Sequence, residues 1–207
     1  VKGMFYYGVV KVQGQTKTYI MLDRNLGATD NSPYVPDVNE LKDHKGAIGG
    51  YFKISENKNY SDAKQGNLSS KLSPKGFEIP DKSVFEDLVA KGTLNTEIRT
   101  TSLGESYYCT SMNTINSELQ TIYLPYGGYL EGESHKYPMH VVFWTKTLVS
   151  GTQGFSGNSP EYGFWYNYFD IYNTKQGISN VRFVSGSNGN MTGRYKAMPL
   201  RLVRVLQ

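Results

Sequence analysis

Apolar and polar side chains alternate early in the chain. Over residues 4–12, Phe5, Tyr7 and Val9 fall on one side of an extended segment and Tyr6 and Val10 on the other, which predicts a strand with Gly14 as the turn after it. Residues 18–22 are apolar on both faces, the pattern of a buried strand. Turn chemistry follows at Asn25, Gly27, Asp30, Asn31, Ser32, Pro33 and Pro36. Residues 37–73 are polar and glycine-containing, which predicts a long loop layer holding one short ordered piece, Gly50-Tyr51-Phe52.

One stretch has a helical period. Val84, Phe85, Leu88 and Val89 share a face, Pro80-Asp81 supplies a stop and an N-cap, and Gly92 sits where a C′ residue belongs. The residue three after Asp81 is Val84, so no capping box forms and the cap is expected to rest on the Asp81 carboxylate alone. Short strands are predicted over 121–125, 141–148, 162–172, 178–184 and 200–206, separated by Gly/Ser/Asn-rich segments at 150–160 and 185–193. One clear helix, short strands and long irregular loops define an α+β fold class. No repeat or low-complexity linker divides the chain, so residues 1–207 read as one domain.

Composition narrows the class of partner. Aromatics make up 14% of the residues, with 17 Tyr, and only 19% are charged, which excludes a disordered chain, a coiled coil and a helical bundle. The net charge of +4 is small and dispersed, so no nucleic-acid partner is expected. Mean hydropathy is −0.49 and no apolar run approaches the roughly 20 residues of a spanning helix, so no membrane insertion by this segment is expected. The chain opens at Val1 without a basic or apolar leader, which reads as a processed or excised piece, in which an upstream signal, lipid anchor or further domain would be invisible.

Few groups carry chemistry. Cys109 is the sole cysteine, which excludes an intrachain disulfide and a multi-cysteine zinc site. A nucleophilic role needs a base, and Tyr107, Tyr108 and Thr110 supply none, so a buried thiol is expected. His135 and His140 are five apart on a Tyr-Pro-Met loop, not the four of a helical zinc pair, and with His44 they read as loop histidines. Asp30, Asp37, Glu40 and Asp43 crowd one loop with the oxygen ligands calcium wants, but off the spacing of a preformed calcium loop and with Lys42 and Lys45 among them; a solvated loop and a calcium site both stay open. Glu131 and Glu133 form a second acidic pair; a glycosidase would need its acids about 5 to 9 Å apart. No nucleophile elbow, phosphate loop or dinucleotide fingerprint occurs, so no cofactor is expected.

The aromatic stretch 161–172 is the most unusual feature. As a strand it puts Tyr162, Phe164, Tyr166 and Tyr168 on one side and Trp165, Asn167, Phe169 and Ile171 on the other. It reads either as a core strand whose tyrosine hydroxyls reach water or as a ligand-binding surface built from Trp165, Asn167, Tyr168, Asp170 and Tyr172.

Several blocks, in order, resemble one family. Tyr19-Ile20-Met21-Leu22-Asp23-Arg24-Asn25-Leu26-Gly27-Ala28 resembles the W-M-D-R-N-L-G-A opening of the Fibrobacter succinogenes major paralogous domain, a family abundant in secreted and surface proteins of Bacteroidetes. Gly50-Tyr51-Phe52 is similar to its Y-Y-Q-W-G block, without the W-G. Pro74-Lys75-Gly76-Phe77-Glu78-Ile79-Pro80 with Val84, Phe85 and Leu88 is similar to P-x-G-W-R-L-P-T-x-x-E-W-x-x-L, with Phe77, Glu78 and Val84 in place of Trp, Arg and Glu. Ile122 to Tyr129, Phe143 to Thr147 and Pro199 to Arg204 resemble L-F-L-P-A-A-G-Y-R, Y-W-S-S-T and P-V-R-C-V-R, with Leu202 in place of Cys.

The resemblance implies a C-type-lectin-like fold, related in shape to the formylglycine-generating domain, on the surface or in the secretions of a bacterium. It implies structural roles for Asp23, Arg24 and Asn25 as bonds to loop backbone, for Trp144 in the core and for Arg201 bracing the last strand. Formylglycine generation requires reactive cysteines, and Cys109 stands alone; the Glu-Pro-Asn, Gln-Pro-Asp and Trp-Asn-Asp motifs of calcium-dependent lectins are absent. The expected function is a non-catalytic binding or adhesion module that takes a glycan or a protein. The alternative is a structural or tip subunit of a surface appendage, completed along the edge strand of residues 1–12. An enzyme would need a deep pocket lined by Asp30, Glu131, His135 or His140.

Overall fold

The computed structural model describes residues 6–36, 44–52, 74–115, 119, 121–131, 133–150, 164–174, 177–184 and 196–205. Their elements run β1 (Val9–Gln13), β2 (Thr18–Leu22), α1 (Lys82–Lys91), β3 (Leu94–Thr100), β4 (Ser106–Asn113), β5 (Thr121–Leu124), β6 (Tyr129–Glu131), β7 (Ser134–Lys136), β8 (His140–Ser150), β9 (Phe164–Thr174), β10 (Gly177–Val184), β11 (Lys196–Ala197) and β12 (Val203–Val205). The strands form four three-stranded sheets of orders β1-β2-β12, β3-β4-β5, β11-β6-β7 and β10-β9-β8, and every pairing within them is antiparallel. Among the described residues one α-helix stands against this much strand, an α+β fold, mostly β.

The first and last strands share β2. Val9 pairs with Leu22 on one edge and Val203 with Met21 on the other. The outer edge of β1 is not open along its length, because Ile115 bridges Lys11, with the Ile115 amide 2.7 Å from the Lys11 carbonyl. The strand begins at Val9, later than the sequence pattern suggests, although the Asp23 amide still donates to the Gly8 carbonyl in the same register.

Helix α1 buries Val84, Phe85 and Leu88, the face the spacing marks. Gly92 closes it at φ 72°, and the Gly92 and Thr93 amides return to the Val89 and Leu88 carbonyls. Its N-terminus corrects the expectation of a cap resting on Asp81. The Asp81 carboxylate makes no cap bond; the Lys82 amide donates to Thr147 Oγ1 at 2.7 Å, and that hydroxyl lies 3.3 Å from Asp81 Oδ1. Thr147 reaches the helix because β8 bulges between Trp144 and Leu148. Lys146 in the same bulge donates its amide to Pro80 and its ammonium to Glu78.

Strand β8 is the wall shared by two cores. Val141 and Phe143 pack with Met21, Phe85, Leu88, Ile122 and Leu124 on one face. Val142 and Trp144 pack with Leu22, Leu26, Met198, Leu200 and Leu202 on the other. Arg201 is fully buried nearby and donates to the carbonyls of Leu22 and Tyr123, tying the C-terminal segment to β2 and β5. Burial lowers its pKa to about 9, with the Asp23 charge opposing the shift. Trp144 donates its indole N–H to the Phe52 carbonyl at 2.8 Å, which pins the segment 50–52 against β8.

Asp23, Arg24 and Asn25 organise the turn after β2. Arg24 grips the nearly buried Asp23 through Nε and an η nitrogen and donates a third bond to the Thr29 carbonyl. Asn25 is buried and donates its side-chain amide to the Ile48 carbonyl.

Candidate functional site

Tyr129, His135, Tyr137 and His140, close in sequence, and the distant Tyr51 gather around the Gly127-Gly128 step. The chain leaves β5 through Pro125 and the buried Tyr126, whose amide donates to the Tyr34 carbonyl. The amides of Gly127 and Gly128 both donate to the His140 carbonyl, at 3.1 and 2.9 Å. Gly128 has φ 51°, and a Cβ there would collide with the carbonyl oxygens of Lys136 and Tyr137. Only glycine lets these two backbone runs lie so close.

That approach holds Tyr137 in a costly position. Its φ is 50°, the sole positive value of a non-glycine among the described residues, and it precedes Pro138, which favours an extended residue before it. The His140 amide closes the turn onto the Tyr137 carbonyl at 2.9 Å. The Tyr137 ring rests between Tyr129 and His140, with centroids 5.6 and 5.1 Å away at tilts of 47° and 49°. Tyr129 is buried, whereas Tyr137 is 56% exposed. The fold thus spends backbone strain of order 1–3 kcal/mol on a ring that adds little to the core.

His135 and Tyr51 meet each other at the Gly127 carbonyl. Tyr51 Oη lies 2.5 Å and His135 Nε2 2.6 Å from the Gly127 carbonyl, and the two side-chain atoms are 3.3 Å apart. A carbonyl only accepts, so both partners donate to it. His135 therefore carries a proton on Nε2. The Tyr51 phenol is pushed up to about 12 by burial and by nearby Tyr34, so it stays a donor across the neutral range.

The strand register shows how the sequence-derived surface relates to this patch. Tyr172 of β9 pairs with His140, Asp170 with Val142 and Tyr168 with Trp144; beyond the bulge, Trp165 pairs with Val149. Asn167 falls opposite the bulge, between the registered Tyr166 and Tyr168. The side chains of Trp165, Asn167, Tyr168, Asp170 and Tyr172 lie outside what the structure describes. Val142 and Trp144 are buried and His140 is half-exposed, so Tyr172 is the position that registers with the patch.

The other candidates stay apart from it. Asp30 accepts the Ser32 amide in a local turn, while Asp37, Glu40 and Asp43 lie outside the described residues, and among those described no three His, Cys, Asp or Glu side chains gather as metal ligands. His44 is exposed in a 3-10 turn over 44–47. Glu131 and Glu133 stand at the tip of the β6–β7 hairpin. Cys109 is buried with its Sγ 3.7 Å from the Glu97 carbonyl, and burial, reinforced by Glu97, pushes its thiol up to about 12, which leaves it unreactive. An open cleft between the β1–β2 turn and α1 centres on Asp87. That carboxylate accepts from the Thr16 amide and hydroxyl, the Lys17 amide and the Tyr19 phenol, so its oxygens serve to lash the turn to the helix.

Sequence reasoning noted His135 and His140 but passed over Tyr51, Tyr129 and Tyr137. The signals for them were the adjacent glycines at 127 and 128 and the Tyr137-Pro138 step. Set against protein-family models, curated proteins and solved structures, the chain matches none.

Proposed function

We propose that this chain is a non-catalytic binding or adhesion module of a secreted or cell-surface bacterial protein, with a C-type-lectin-like arrangement of its α+β fold, and that it recognises a glycan or a protein. The observation that carries the reading is Tyr137, an exposed ring kept on a left-handed backbone where an asparagine or glycine would sit with less strain. Strain retained at an exposed aromatic is accounted for by contact with something outside the chain. The resemblance of the Asp23-Arg24-Asn25 and Arg201 blocks to a family of surface and secreted proteins supports the same reading.

The appendage-subunit alternative needs a free edge at β1, and the Ile115 bridge to Lys11 occupies the middle of that edge. A glycan array and a pull-down from the bacterial surface fraction, each run with the intact chain and with Tyr137→Gly, test the proposal. Binding by the intact chain that falls away in the variant is the expected result. Silence in both assays refutes the proposal.

A further inference from the structure

We infer that two copies of this chain join along β3, edge to edge and antiparallel, about a two-fold axis at Ile98. Strand β3 lies at the outside of the sheet β3-β4-β5, and among the described residues no strand pairs with its outer side; β10 comes near it but pairs only with β9. The edges of β1 and β12 are each bridged, by Ile115 at Lys11 and by Glu78 at Val203. The hydrogen-bond phase of β3 follows from its two ends. Just past the strand the Thr101 amide donates to the Glu105 carbonyl, and just before it the Asn113 amide donates to the Thr93 carbonyl. The register with β4 runs between these points without a shift. The odd-numbered residues from Thr93 to Thr101 therefore turn their amides and carbonyls to β4, and Ile98 and Thr100 turn theirs outward. Residues 98–100 are exposed, Ile98 at 64%. An open edge of this kind templates another strand unless something guards it. Lysine, proline and a bulge, the usual guards, are absent from Leu94–Thr100.

The occupant that fits this edge is a second β3, because its charges are self-complementary. Glu97 and Arg99 share one face of the strand on either side of Ile98, with Arg99 Nη2 3.2 Å from Glu97 Oε2 within the chain. With the axis at Ile98, the two Ile98 residues exchange both backbone bonds and their exposed side chains meet. Each Glu97 then stands opposite the second copy's Arg99, in the closer, non-hydrogen-bonded kind of pair. Moving the axis to Glu97 sets two carboxylates opposite each other, and moving it to Arg99 sets two guanidinium groups opposite each other. Of the three registers, only the one at Ile98 joins unlike charges. A two-fold contact closes on itself and builds no filament, so this dimer is not the appendage arrangement. It spans only a few residues, well short of the roughly 800 Å² per partner in a stable complex, so a dissociation constant on the order of 0.1 mM is expected.

Sedimentation equilibrium of the intact chain from about 10 μM to about 1 mM tests the inference, and a monomer–dimer equilibrium is the expected result. Arg99→Glu makes the edge wholly acidic and Glu97→Arg makes it wholly basic. Each alone should weaken the dimer about tenfold or more. An equimolar mixture of the two should dimerise again, because both ionic pairs form between unlike chains. Ile98→Pro removes an outward amide while sparing the ladder to β4, and should also abolish the dimer. Cooperative unfolding checks each variant, and where a charge variant does not fold, Ile98→Pro decides in its place. A wild-type chain still monomeric at about 1 mM overturns the inference. So does a dimer indifferent to Arg99→Glu or to Ile98→Pro, or a mixture of folded charge variants that stays monomeric. None of these results touches the binding reading above.

Discussion

Replacing Tyr137 by alanine and by glycine separates the expense of its backbone from the value of its ring. Both changes remove the contacts with Tyr129 and His140, and they differ by one atom, the Cβ, at φ 50°. A Cβ in the left-handed region costs about 1–2 kcal/mol. Glycine gives back about 0.5–1 kcal/mol through the greater freedom of its unfolded chain. The glycine variant should therefore be more stable than the alanine variant by about 0.5–1 kcal/mol, the reverse of the order at an ordinary strand position. Denaturant unfolding measures this as a shift in midpoint at constant slope. An alanine variant as stable as the glycine one, or more so, would mean that Tyr137 is not strained, and the argument from strain to binding would fall with it.

Three further outcomes follow from bonds described above. Thr147→Val removes the hydroxyl that receives the Lys82 amide and should cost about 1 kcal/mol, within the range of a lost helix cap, while Asp81→Ala should cost less, because it keeps the carbonyl that receives the Val84 amide and the Asp81 carboxylate itself makes no cap bond; equal costs would refute the relay. Burial alone would raise the Asp87 carboxyl, but bonds from Thr16, Tyr19 and the Thr16 and Lys17 amides outweigh it and hold the group below its usual value. A depressed carboxylate contributes stability above its unfolded pKa and loses it as the pH falls through the folded one, so Asp87→Asn should be less stable at pH 7 and converge on wild type in acid; a gap that persists at pH 2 would contradict this. Cys109 should resist a thiol reagent at pH 8 in the native protein and react on unfolding in urea, since burial raises its thiol to about 12; rapid native labelling would show an opening that this packing does not contain.

What could be read from the residues divides along physical lines. Helix α1 was legible because Val84, Phe85 and Leu88 repeat at the helical period and Gly92 marks its end. Strands β2 and β8 were legible because both faces are buried and both faces are apolar. The β3–β4 hairpin was not, because Leu94–Thr100 is polar and partly exposed, and its strand state comes from pairing with β4 rather than from its own pattern. Strands β6, β7 and β11 are two or three residues long, too short for any period to register. The cap on α1 was misassigned because the hydroxyl that accepts the Lys82 amide lies 65 residues away, in the β8 bulge. The site was half visible: His135 and His140 stood out by type, but the meeting of His135 with Tyr51 at the Gly127 carbonyl spans a separation that no local window contains.

The clasp of β2 by both β1 and β12 sets an order of events in folding. Met198, Leu200 and Leu202 complete the second core around Trp144, and the Arg201 guanidinium reaches back to Leu22. A growing chain cannot close either structure until these late residues have left the ribosome. Until then Trp144 and Leu22 lack their covering, and the nascent protein stays open and within reach of chaperones. A stop codon ahead of residue 197 should therefore yield a degraded product rather than a shortened domain.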